Sequence, residues 1–454
     1  MKIAFLSKNN KILNLAPTRI IVLSFAFLIL TGTLLLNLPI ASRSGKSIGF
    51  LSALFTATSA SCVTGLVVVD TMTQWTVFGQ LVILTLIQAG GLGIVTLATF
   101  FSVLLGRKVG LKGMLLAQES INHFSFEGVV RLVRRVVVVT LAIETVGALL
   151  LSISFVPRYG LKGFYYGIFH AVSSFCNAGF DIIGDYRSLT GFNNDPIVIY
   201  TVAGLIIIGG LGFMVWKDLY EYRKNKSLYL HTKVVLIMTA CLIFFGALFF
   251  FAFEYNNPMT MGNLNFAGKI NAAFFHSVTC RTAGFNSLPT NDMYEVSKVA
   301  SIILMFIGAA PGSTGGGVKV TTFGVILMAI ICQIKGSDDT IVLKKKVPHY
   351  TINKALAIIG LSLSLVVVLS TVLLAVEKGP MINVVNILYE ATSAFGTVGL
   401  STGITPGLQP VSKVLLTITM FLGRVGPLTF ALALALRNKK HTDVVYPEGK
   451  IVVG

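Results

Sequence analysis

Four glycines in this 454-residue chain, Gly65, Gly179, Gly284 and Gly399, sit in look-alike surroundings. The segments that carry them align: Leu54-Phe-Thr-Ala-Thr-Ser-Ala-Ser-Cys-Val-Thr-Gly65-Leu, Phe169-His-Ala-Val-Ser-Ser-Phe-Cys-Asn-Ala-Gly179-Phe, Phe275-His-Ser-Val-Thr-Cys-Arg-Thr-Ala-Gly284-Phe and Leu388-Tyr-Glu-Ala-Thr-Ser-Ala-Phe-Gly-Thr-Val-Gly399-Leu. Glycine tolerates positive φ and leaves room for an ion beside the backbone. Brought to one level, four such loops could turn carbonyls toward a dehydrated cation: those of Val63, Thr64 and Gly65, of Asn177, Ala178 and Gly179, of Thr282, Ala283 and Gly284, and of Thr397, Val398 and Gly399. A half-helix ahead of each loop would aim its partly negative C-terminus at the same point, which favours cations over anions. Asp70, Asp181, Asp185, Asp292 and Glu390 are the expected attractors on the outer side. A lone membrane glycine is ordinarily a helix-packing contact. Four in matching loops point instead to an ion site.

Such loops need a membrane around them, and the composition supplies one. Hydrophobic residues make up 54% of the chain and charged residues only 12%, with mean hydropathy +0.81. A soluble domain carries about 25% charged residues, so a soluble enzyme and a disordered chain are excluded. Long apolar runs lie at about 20–40, 75–105, 136–156, 197–216, 234–253, 299–334, 355–376 and 411–436. The first is longer than the apolar core of a signal peptide and reads as a spanning helix. The expected fold is therefore an all-α integral membrane protein. Four pseudo-repeated helix–pore loop–helix units surround a central pore, giving eight transmembrane helices plus four re-entrant pore helices. The expected boundaries are a cytoplasmic N-terminus 1–19, repeats 20–110, 111–225, 226–340 and 341–436, and a cytoplasmic tail 437–454.

The net charge of +18 is spread over short clusters between the apolar runs, not gathered in one basic tract. Basic residues far outnumber acidic ones in the N-terminus, alternate loops and C-terminus, which places both termini in the cytoplasm. Nucleic acid is not an expected partner; the lipid bilayer is. Five cysteines, an odd number, suggest no disulfide framework.

A second glycine signature follows each first one: Gly90-Gly-Leu-Gly93, Gly209-Gly-Leu-Gly212, the run 308–317, and Gly423-Arg-Val-Gly426. The third, carrying Gly308, Pro311, Gly312, Ser313, Thr314, Gly315, Gly316, Gly317 and Lys319, cannot continue a helix. It should be non-helical backbone lining a water-filled space at 308–319, or else a packing kink. It is not a phosphate loop, because Gly312-x4-Gly317 is followed by Val318-Lys319. Arg424 falls within the last span, where a charge costs about 3 kcal/mol or more and must face a cavity or a partner. It could be an electrostatic barrier below the glycines, a structural pair with Glu144, or an arginine reaching for the interface. Gly399-Leu-Ser-Thr-Gly403 matches a serine-hydrolase elbow but overlaps the fourth repeat, so catalysis is not expected. His170 and His276 read as hydrogen-bonded structural residues, and Glu119 and Glu127 as a solvated face. A rival reading from another class is an ion-coupled secondary transporter of another small solute, which would need inverted or twofold repeats.

Over nearly its whole length the chain resembles the Trk/Ktr/HKT potassium transporter superfamily, its KtrB type more than the longer TrkH type. The resemblance rests on Cys62-Val-Thr-Gly-Leu, Asn177-Ala-Gly-Phe-Asp, Arg281-Thr-Ala-Gly-Phe-Asn and Gly396-Thr-Val-Gly-Leu-Ser. Cys62, Cys176 and Cys280 are a small departure from the pattern. The resemblance implies potassium uptake, with the four aligned glycines in a selectivity filter and 308–319 as an intramembrane gate loop. Arg424 matches the family's pore-barrier arginine. In plant relatives serine at the first filter position goes with sodium preference, so Gly65 points to potassium. A homodimer is implied, with the C-terminal tail at its interface. So is a cytosolic ring of KtrA-type RCK subunits that bind ATP or ADP, docking on 107–135, 217–233 and 437–454. Potassium is then the transported ion, sodium a possible activator, and no covalent cofactor is expected. The expected location is a bacterial cytoplasmic membrane.

Overall fold

The computed structural model describes residues 17–104, 129–337, 339–427 and 429–430. Residues 107–128 of the expected docking stretch 107–135, the tail 437–454, most of the N-terminal segment, Glu119 and Glu127 lie outside the described residues.

Among the described residues, four helices are long and apolar enough to cross a bilayer unaided: Pro17–Leu36, Val129–Tyr159, Leu230–Glu254 and His349–Val376. Their outward faces carry residues such as Phe27, Leu34, Phe244 and Val368, all exposed and apolar, as lipid requires. Each of these helices is followed by a shorter one: Phe50–Ser61, Lys162–Phe175, Phe266–Thr279 and Val384–Gly396. These four half-helices are too short to cross, and the last three residues of each are buried. Asn265 and Asn383 start the third and fourth by accepting from Gly268 N and Asn386 N, each at 2.7 Å. Each half-helix ends where the chain swings into the left-handed region, at Val63 (φ 58°), Asn177 (58°), Thr282 (67°) and Thr397 (51°). Such backbone is costly for a residue with a side chain, and it reverses the chain within a few residues.

The remaining four expected spans are not continuous helices. After Val77–Leu92, Pro196–Gly210 and Pro410–Val425 the backbone breaks at Gly93, Gly212 and Gly426, with φ of 81°, 91° and 93°. Beyond Gly212 the helix Phe213–Asn225 leaves at 93°. In the third repeat Glu295–Phe306 and Val320–Ile334 flank an irregular loop. The second glycine signature thus has two jobs. Its last glycine takes the positive φ at the break. Its first lies against the end of a half-helix: a Cβ at Gly90, Gly209 or Gly423 would sit 1.9, 2.0 or 2.0 Å from the carbonyl oxygen of Ser61, Phe175 or Phe395. Among the described residues, strands are confined to a two-residue antiparallel pair, Ile341–Val342 with Lys345–Lys346.

Close packing at Gly209 predicts a sharp contrast on one helix. Gly209→Ala should destabilise the purified protein by about 2 kcal/mol or more through the Phe175 carbonyl. Gly204→Ala, where a Cβ meets nothing within 4 Å, should stay within about 0.5 kcal/mol of wild type. Thermal unfolding in detergent measures both.

Candidate functional site

The four reversals converge on one point. A Cβ at Gly65 would meet the Ala178 carbonyl oxygen at 2.5 Å, and one at Gly179 the Ala283 oxygen at 2.7 Å. One at Gly284 would meet the Val398 oxygen at 2.3 Å, and one at Gly399 the Thr64 oxygen at 2.1 Å. The glycines therefore touch in chain order, and the fourth closes back on the first. Their φ values of 95°, 70°, 80° and 94° are a second reason for glycine at each position. The residue before each glycine is tied to its half-helix through the backbone: Thr64 N to Ser59 O at 2.8 Å, Ala178 N to Ser173 O at 2.7 Å, Ala283 N to Thr279 O at 3.0 Å and Val398 N to Ser393 O at 2.9 Å. The Asn177 amide and the Thr282 hydroxyl share a 3.2 Å hydrogen bond that joins the second loop to the third.

On the far side of this ring lies the irregular loop of the third repeat. Gly315 and Gly316 press against the Thr282 and Thr397 hydroxyls, at 2.1 and 2.3 Å from where a Cβ would stand. The loop is pinned to the broken helix of the second repeat by Ala310 N to Gly210 O (3.0 Å), Thr314 N to Gly209 O (3.3 Å) and Phe213 N to Gly312 O (2.9 Å). Its own ends are held by Gly308 N to Val318 O at 2.7 Å, and Lys319 Nζ donates to Gly315 O at 2.7 Å.

Arg424 stitches this loop to two other repeats. Its guanidinium donates to the carbonyls of Thr314 and Gly90, and to that of Gly91 at 3.1 Å. The alternative pairing with Glu144 does not occur. Glu144 instead accepts from Gln88 at 3.1 Å. A cavity of about 760 Å³ opens here, walled by Gly93, Phe213, Gly315, Lys319, Arg424 and Gly426 among others. The breaks of all four repeats thus border one space, and Lys319, Lys346, Lys354 and Arg424 stand on its wall.

The expected outer acids fare differently. Glu390 is fully buried and is not an attractor. One of its carboxylate oxygens accepts from Ser401 Oγ (2.6 Å) and Thr402 N (2.9 Å), the other from Thr405 Oγ1 (2.7 Å). A buried carboxylate needs such donors, and here they fix the loop that follows Gly399. The same bond occupies Ser401, the would-be hydrolase serine. Asp70 caps the turn at Thr73 N (2.7 Å) and accepts from Tyr186 N (2.9 Å). Asp185 is exposed but lies 3.9 Å from Arg187. His170 Nδ1 meets Tyr166 O at 2.8 Å and His276 Nε2 meets Ser301 Oγ at 3.0 Å. No cluster of three His, Cys, Asp or Glu that could hold a metal occurs among the described residues.

Residues 3–442 match the family model TrkH, described as "Cation transport protein". The chain belongs to that family. It is 42% identical over 439 residues to the Ktr system potassium uptake protein B of Bacillus subtilis, covering 96% of this chain and 97% of that one. It is 39% identical over 443 residues to the potassium/sodium uptake protein NtpJ of Enterococcus hirae, covering 97% and 98%. The crystal structure of the potassium transporter TrkH from Vibrio parahaemolyticus superposes with a TM-score of 0.71 at 18% identity, covering 92% of this chain and 84% of that one. At that identity the likeness concerns the fold, which is all-α and multi-pass in the membrane.

Sequence reasoning passed over four residues, Ser59, Ser173, Thr279 and Ser393, that bond directly to the loops. The signal was present in the repeat alignment as a hydroxyl residue five or six positions ahead of every glycine.

Removing the Glu390 carboxylate should unseat its loop. Glu390→Ala is expected to lower stability by about 2–4 kcal/mol, since several donors lose their acceptor at once. Asp185→Ala, at a side chain 72% exposed, should change little. Both are read from the midpoint of thermal unfolding.

Proposed function

We propose that this chain takes up potassium across the cytoplasmic membrane of a bacterium, through a filter formed by the carbonyls of residues 63–65, 177–179, 282–284 and 397–399. The observation that carries this reading is the closed contact of Gly65, Gly179, Gly284 and Gly399. The half-helices that end around the ring add their negative ends, which suits a cation and repels an anion. Potassium as the ion is supported by the names of the relatives and by glycine rather than serine at position 65. Sodium enters as an activating ion, a reading that rests on the family resemblance; the Enterococcus relative's name pairs sodium with potassium in uptake.

The membrane potential drives uptake, at about 2.3 kcal/mol per charge per 100 mV. At about 150 mV this amounts to roughly 3.5 kcal/mol, or a few-hundredfold accumulation without ATP. The loop 308–319 gates the path beneath the filter, and Arg424 adds a positive barrier there. Both termini are cytoplasmic. A homodimer of this chain docks on a cytosolic KtrA-type RCK ring, which binds the ATP or ADP. The sequence has no Walker loop of its own to do so.

Rubidium-86 uptake into bacteria lacking their own potassium transport tests the filter. Wild type should give saturable uptake competed by potassium, and Gly65→Ser should discriminate less well against sodium. Identical behaviour of the two would remove Gly65 from the filter. No uptake by wild type, with the protein in the membrane and a KtrA-type partner supplied, would favour a secondary transporter. In the same assay Arg424→Ala should keep transport but change its rate, and unchanged kinetics would end the barrier role.

A further inference from the structure

At each ring segment one hydroxyl residue of the half-helix holds the loop twice, once by its backbone carbonyl, as described, and once by its side chain. The side-chain bonds divide into two kinds. Ser59 Oγ accepts from Gly65 N–H and Ser393 Oγ from Gly399 N–H, both at 3.0 Å. Ser173 Oγ donates to the Phe180 carbonyl at 2.7 Å, and Thr279 Oγ1 donates to the Phe285 carbonyl at 2.8 Å. All four residues are fully buried.

These two bonds constrain different things. An acceptor on the glycine N–H fixes the plane of the peptide that joins Thr64 to Gly65, or Val398 to Gly399. That in turn fixes the direction of the Thr64 or Val398 carbonyl on the same peptide. A donor on the Phe180 or Phe285 carbonyl turns that oxygen toward the half-helix and away from an ion. Selectivity among alkali cations depends on how many carbonyls face the ion and how firmly they are held. Resting on the filter reading above, we infer that Ser59, Ser173, Thr279 and Ser393 are positioning residues that set cation selectivity. The first and fourth hold carbonyls toward the ion path, while the second and third withdraw the carbonyls just outside the ring.

The test uses the full chain in potassium-transport-deficient bacteria, with rubidium-86 as the probe and sodium as the competitor. Ser59→Ala and Ser393→Ala should still transport, with discrimination against sodium reduced about three- to tenfold, as one lost hydrogen bond allows. Ser59→Thr, which keeps a hydroxyl, should restore most of it. Ser173→Ala and Thr279→Val should shift the rubidium-to-potassium preference, and Thr279→Ser should not. Unchanged ratios in the alanine and valine variants would overturn the inference. So would Ser59→Thr and Thr279→Ser variants as impaired as the hydroxyl-free ones, since packing alone would then explain the positions. For any variant that transports poorly, purified protein is melted in potassium and in sodium chloride. Wild type should gain more stability from potassium, and loss of the hydroxyl should narrow that difference. An undiminished difference would count against the inference. A wild-type chain that carries no rubidium would defeat the filter reading itself.

Discussion

A backbone carbonyl inside a membrane has few places to go. It can be bonded along a helix, accept from a side chain or another strand of backbone, or face a cavity where water or a cation meets it. Most of the unusual residues in this chain answer that one constraint. The half-helices stop inside the protein, leaving their last carbonyls without an intrahelical partner. Glycines at 90, 209 and 423 bring neighbouring backbone hard against three of them. Where the chain has no helix at all, around Thr314 and Gly315, the carbonyls are met by Arg424 and Lys319.

These two cationic side chains are therefore at once structural and electrostatic. Arg424 has no carboxylate partner among the described residues, so its charge is solvated by three carbonyls from two other repeats rather than neutralised. Its field persists in the cavity it borders. A salt bridge would have lessened that field, and this is the physical difference between the pairing with Glu144 that the sequence left open and the arrangement found.

Much of this was legible in the residues. The apolar runs located the spanning helices, and the aligned glycines located the loops because glycine is demanded twice over there, by φ and by contact. The breaks in the inner helices were legible only in the third repeat, where proline and a run of glycines leave no doubt. At Gly93, Gly212 and Gly426 a short glycine signature without proline looks the same whether the helix packs closely and continues or breaks, as it does by 93° after Gly210. Glu390 was misread for a related reason. A carboxylate near the end of a pore segment looks like an ion attractor until its donors, Ser401, Thr402 and Thr405, are seen to fold back onto it. Hydroxyl residues such as Ser59 and Thr279 are common in membrane helices, and a sequence does not say which face they occupy.

The irregular loop belongs to one repeat only. In the other three, a single glycine breaks the helix, and no comparable insertion follows it among the described residues. Fourfold channels close by moving four equivalent parts, so their opening is concerted and steep. A gate of the kind proposed for 308–319, contributed by one quadrant of a single polypeptide, has no symmetry mates to wait for. Its release would be a unimolecular step with one barrier, and its threshold could be tuned by changing residues such as Ser313 or Lys319 without touching the other three quadrants.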